Sequence, residues 1–166
     1  MANLCLAALE QLRDFLTASA GVNAELAVIG ARDMVFLRPL GRETVLIEHV
    51  AAKIADESSA SVYPVLYLYC ARMDNVLTRK FTKFSGPIHV LVDVRVSGED
   101  FAGLDSQLAR YVEAVSAVLG DHQGKWTGNI SFAGAYKVKF KAAELGGRNF
   151  IQRAEIEVEL LGHDDG

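Results

Sequence analysis

The chain has 166 residues, 51% of them hydrophobic and 23% charged, with only 3 prolines. This is a globular composition, long enough for one domain over 1–166 that buries roughly 68–70% of its unfolded surface. Lys+Arg 17 against Asp+Glu 21 gives a net charge of −4, so nothing global favours nucleic acid, and sequence-specific binding is not expected. No run approaches the length of a membrane span. The start MANLCLAALEQLRDF has Glu10 and Arg13-Asp14 where a secretory leader would have a basic region and an apolar core. A soluble, intracellular protein is expected. Cys5 and Cys70 share no motif spacing and read as small buried hydrophobes in a reducing compartment.

Residues 3–19 predict an amphipathic helix. Cys5, Leu9, Leu12 and Leu16 make a stripe that Ala8 and Phe15 widen, Asn3 can cap its start, and Gly21 suits a left-handed stop. Its face suits a sheet, or a partner subunit. In the next forty residues Val22–Ile29 reads as a strand and Arg38–Arg42 as a turn. Leu46, Val50 and Ile54 suggest a short helix through about Asp56, and Glu57-Ser58-Ser59 a loop.

Residues 62–70, VYPVLYLYC, predict a strand with Leu66, Leu68 and Cys70 on one face and Tyr63, Tyr67 and Tyr69 on the other. Pro64 lacks a ladder donor and belongs near the strand start or at an edge. A tyrosine face can stack bases, but without interleaved cations it fits a covered core or a subunit interface better. The connector NVLTRKFTKF follows, with Arg79, Lys80 and Lys83 around Phe81 and Phe84. Such a segment can hold phosphate or an acidic partner. It can equally be a solvated link pinned by its two phenylalanines.

From Ile88 to Val96 every second residue is β-branched and apolar, which predicts the central strand, 86–97, of an antiparallel sheet. Its other face carries His89 and Asp93, a pairing that would matter in catalysis but that ordinarily just meets water. Residues 101–119 predict a helix through Leu104, Leu108, Tyr111, Val112, Val115 and Leu119, with Ser97 and Asp100 as a capping box and Gly120 as its stop.

After a loop containing Trp126, strands are expected over 129–141 and 149–161. Lys137, Lys139 and Lys141 alternate with Tyr136, Val138 and Phe140, while Glu155, Glu157 and Glu159 alternate with Ala154, Ile156, Val158 and Leu160. The two charge rows match as a hairpin, with the apolar rows buried opposite. Gly146-Gly147-Arg148 forms its loop; two glycines and a cation could form an anion nest, but the absence of a following helix argues against it. Residues 162–166 read as a disordered tail. The fold class is therefore α+β: an antiparallel sheet of about four or more strands flanked by two main helices in a two-layer sandwich. No hydrolase, zinc or phosphate-loop motif appears, and His49, His89, His122 and His163 lack ligand spacing. No enzyme activity, cofactor or metal is expected.

The segment Tyr63-Pro64 to Cys70, then Lys80–Gly86, the long strand, Leu104–Leu119, the Trp126 loop and Gly146–Gln152 together resemble tail terminator (tail completion) proteins of long-tailed bacteriophages. The likeness covers roughly residues 60–160. It implies a hexameric ring at the head-proximal end of the virion tail, assembled in the host cytoplasm. Such a ring caps the tail tube, ends its growth and joins the head connector, without cofactors; its partners are the tube protein and neck proteins. The same scaffold serves other neck and connector proteins. A ring needs two different flanks. The candidates are the connector, through Arg79, Lys80, Phe81, Lys83 and Phe84, and the charged terminal strand; Arg148 is a further candidate. The alternative is a small ligand-binding domain or enzyme with a cleft near Tyr63, Tyr67 and Tyr69.

Overall fold

A computed structural model describes residues 2–57 and 62–165. In chain order they form helices α1 (Ala2–Thr17) and α2 (Val22–Asp33), strand β1 (Val45–Leu46), helix α3 (Ala52–Glu57), strands β2 (Val65–Met73) and β3 (Phe84–Gly98), helix α4 (Leu104–Asp121), and strands β4 (Gly124–Lys125), β5 (Ile130–Phe140), β6 (Glu144–Leu145) and β7 (Phe150–Asp164). The sheet runs β1-β2-β3-β7-β5-β4, with β6 added to β7. Its pairings are antiparallel except that of β1 with β2. The expected α+β sheet is present but larger: its four long strands lie close to the expected ranges, and three two-residue strands extend it. No helix of the described residues is long and apolar enough to cross a membrane.

Period-two patterning does in β3 what it should. Ile88, Val90, Val92, Val94 and Val96 are all fully buried and lie opposite Leu160, Val158, Ile156, Ala154 and Gln152 of β7. Helices α1 and α4 cover this face with Leu12, Leu16, Leu108, Tyr111, Val115 and Leu119. Each fully buried aliphatic side chain contributes roughly 1.5–3 kcal/mol. Tyr111 donates its hydroxyl to Arg38 O at 2.8 Å, and burial pushes its phenol up to about 12. A smaller cluster of Ala55, Val65 and Tyr67 lies on the reverse face under α3. The two expected helices are therefore joined by α2, packed on α4, and by α3 across the sheet.

Several expectations are corrected. Residues 22–29 are helical, not extended: Val22, Leu26 and Ile29 are the buried stripe of α2, a three-and-four spacing hidden by β-branched residues. Gly21 is not a left-handed stop. Its φ is −88°, and a Cβ there would collide with the carbonyls of Phe15 and Leu16. Leu46 belongs to β1 beside Tyr67, so the helix expected through Leu46, Val50 and Ile54 is confined to Ala52–Glu57. Ser97 and Asp100 form no capping box, because Ser97 still lies in β3. Gly103, at φ 80°, precedes α4, and Asp100 instead accepts the N–H of Ala102 at 2.6 Å. Gly120 is inside α4, which His122 ends. α1 begins at Ala2, and the side chain of Asn3, expected as its cap, lies outside what is described, as does the Ser58-Ser59 loop. The tail is ordered through Asp164 as the end of β7. Pro64 does precede a strand start, after a cis Tyr63–Pro64 bond.

The cysteines are not two free hydrophobes. Cys5 of α1 and Cys70 of β2 form a disulfide across 65 residues of sequence, with Cα atoms 6.2 Å apart. Spacing along the chain carried no sign of it; the pairing arises from where α1 lies on the sheet.

The charge rows pair in the expected register, Lys137 with Glu157 and Lys139 with Glu155, and Lys141 Nζ lies 3.8 Å from Glu155 Oε1. The burial expected opposite them holds for Ala154, Ile156, Val158 and Leu160 of β7 and in part for Val138, but fails at the two aromatics of β5. Tyr136 is 39% and Phe140 55% exposed, because α4 packs over β3 and β7 rather than over β5. At roughly 0.2–1 kcal/mol per cross-strand pair, Lys137→Glu with Lys139→Glu should lower the urea midpoint. Adding Glu155→Lys with Glu157→Lys should recover most of the loss. Additive losses would show that the rows do not couple.

Candidate assembly surface

The connector between β2 and β3 is tied down along its length. Asp74 and Val76 donate backbone N–H groups to Pro87 O and Ser85 O, both at 3.0 Å. Asn75 accepts from Ser85 N at 3.1 Å and donates to Lys83 O at 3.2 Å. Lys83 N donates to Asp164 O at 2.8 Å, and Thr82 Oγ1 to Arg79 O at 2.9 Å. Glycine at 86 permits this closeness, since a Cβ would strike Asp74 O. The link is an ordered loop.

Its two phenylalanines have opposite fates. Phe84 begins β3 and is buried in the core. Phe81 is 99% exposed at φ 66°, a left-handed conformation that costs a non-glycine residue roughly 1–2 kcal/mol. Arg79, Lys80 and Lys83 surround it and are exposed. Only one phenylalanine pins the loop; the other is held out in water.

Arg148 is nowhere near. β3 and β7 pair along their whole length, Phe84 with Asp164 and Gly98 with Phe150. Arg148 and the connector therefore flank opposite ends of the 15-residue β7, which at ~3.3 Å per residue separates them by at most roughly 45 Å. The Gly146–Arg148 loop serves an internal acid: Arg148 N donates to Asp56 Oδ2 at 2.9 Å. The terminal strand is also displaced as an edge, since β7 is paired on both sides by β3 and β5. The open edge belongs to β5. Beyond Phe132 it has no strand on its outer side among the described residues, and there it carries Tyr136, Lys137, Lys139 and Phe140.

The reverse sheet face is drier than alternation suggested. His89 and Asp93 are both buried, each in its own cluster. His89 Nδ1 lies 3.0 Å from Glu157 Oε1 and Nε2 3.0 Å from Arg72 Nη2. Asp93 Oδ2 instead takes Arg95 at 2.7 Å and Arg153 at 3.3 Å. Arg95 also donates to Val50 O at 2.5 Å, and its guanidinium caps the Tyr67 ring at 4.2 Å. Tyr67 therefore offers no open stacking platform, and burial raises its phenol. Burial and the neighbouring Asp56 charge likewise raise Tyr63. Tyr69 stacks on His49 at 3.8 Å, beside a cavity of about 470 Å³ that Asp93, Arg95 and Arg153 also line. Asp93 Oδ1 and Arg95 Nη1 are buried without a hydrogen-bond partner among the described residues. Asp93 and Arg95 stand two apart on a strand, which marks a shared face in the sequence but not its burial. No group of three or more potential metal ligands gathers among the described residues.

No protein-family model and no curated protein matches the chain. Among solved structures, a chain from the virion of a native gene transfer agent particle is similar, with a TM-score of 0.38 and 13% identity over 90% of this chain and 96% of that one.

Proposed function

We propose that the chain is a structural subunit of a phage-like virion, a tail terminator that closes into a ring, caps the tail tube and offers the surface that meets the head connector. The carrying observation is Phe81: an ordered, basic loop spends backbone strain on holding a large apolar ring fully in water. Strain of this kind persists where a function uses it, and an exposed aromatic among cations is the composition of an interface anchor. The open edge of β5, with Tyr136 and Phe140, supplies a second and different flank. Head-to-tail closure requires two such patches. The sequence likeness is to tail terminators, and the same scaffold serves other neck and connector proteins. Lys80→Glu with Lys83→Glu should leave the circular dichroism spectrum unchanged and lower both the assembled fraction and the yield of correctly terminated tails. Normal assembly by this variant would remove the connector from the interface.

The second reading, a ligand-binding or catalytic cleft by Tyr69, draws support from the 470 Å³ cavity and its two unpartnered buried atoms. A monomer at every concentration, with a small molecule bound there, would favour it.

A further inference from the structure

A cleft of about 670 Å³ opens where the connector, the β4–β5 turn and the end of β7 meet. Arg79 and Thr78 reach it from the connector, Lys125, Asn129 and Ser131 from the turn and its strands, and His163 from β7. Cations scattered in sequence are thus brought around one space. None of the described residues lining it is an Asp or Glu, although acids outnumber bases 21 to 17 in the chain.

The walls are braced. Arg79 Nη1 lies 2.9 Å from His163 Nε2, a contact that orients the guanidinium. His163 N donates to Asn129 O at 3.2 Å, tying β7 to the turn. Gly128, at φ 58°, makes the turn that carries Asn129 and Ser131 past the opening. The polar groups comprise a planar fork, a point charge, hydroxyls and an amide from three segments of the chain, with the Thr78 and Ser85 hydroxyls hydrogen-bonded to each other. A carboxylate is satisfied by one arginine fork; a tetrahedral anion with several acceptor oxygens uses the whole set. We propose that this cleft binds a phosphate group, either free phosphate or the backbone of a nucleic acid. All its lining groups belong to one subunit, so the site does not depend on ring closure.

The test is titration of the full chain with inorganic phosphate at constant ionic strength, followed by amide chemical shifts at 128–131 and by the His163 ring. Saturable shifts are expected, and Arg79→Gln with Lys125→Gln should weaken them by about tenfold or more. Should that variant lose its fold by circular dichroism, Lys125→Gln alone, on an exposed two-residue strand, carries the same expectation with a smaller loss. Oligothymidylate anisotropy separates the sources. If nucleic-acid backbone is the ligand, removing both cations should reduce the slope of log K against log salt by about 1.4. Phosphate binding without oligonucleotide binding assigns free phosphate. Absence of saturable shifts in the cleft, or equal binding by the variants, overturns the proposal. Assembly measured on the same samples is a separate readout, so loss of the ring reading would leave this one standing.

Discussion

Asp93→Ala is expected to destabilise the subunit by about 3–5 kcal/mol, the cost of breaking a buried ion pair from one side. Both members of the pair are 1% exposed, and Arg95 is the largest fully buried side chain among the described residues. Without Asp93, that guanidinium keeps Val50 O and the Tyr67 ring but loses its anion. The double variant Asp93→Leu with Arg95→Met should regain most of the loss, because no unpaired charge remains and the unpartnered atoms of the pair disappear with it. Urea unfolding with an unchanged slope is the readout. A single-variant cost below about 1 kcal/mol would mean that water reaches Asp93 and that the face is open.

Phe81→Ala is expected to behave in the opposite way, leaving the fold intact and abolishing assembly. The side chain touches nothing that folding needs, so the thermal midpoint should barely move. An aromatic anchor contributes ~2 kcal/mol or more per contact, about a thirtyfold change in each contact constant, and a closed ring multiplies that loss at every interface. Phe81→Gly sharpens the distinction. Glycine adopts φ 66° without strain, so this variant should be at least as stable as Phe81→Ala and equally unable to assemble. If assembly survives both substitutions, Phe81 is not the anchor.

How much was legible follows from which signals were local. The alternation of Ile88–Val96, the stripe from Leu104 to Leu119 and the lysine and glutamate rows each repeat with one period over many residues, and the corresponding elements formed within a few residues of expectation. The failures needed neighbours distant in sequence. Val22–Ile29 carries as much β-branching as helical spacing, and its docking on α4 settles it as a helix. Tyr136 and Phe140 follow the right alternation, yet among the described residues α4 packs on β3 and β7 and leaves them exposed. The candidate site divided for the same reason: Arg79–Lys83 stayed together on one loop, Phe84 entered the core as the first residue of β3, and Arg148 went to the far end of β7. Lys125 and His163, which complete the basic cleft, stand alone in sequence, and only the meeting of three segments joins them to Arg79.

The ring itself is tested most directly by native mass and negative-stain images of the purified chain, alone at rising concentration and then mixed with tail tubes. The account predicts closed rings with an open centre, in solution or seated on tube ends, and tubes that stop growing once capped. A chain that remains a monomer under all these conditions, tubes included, would contradict it.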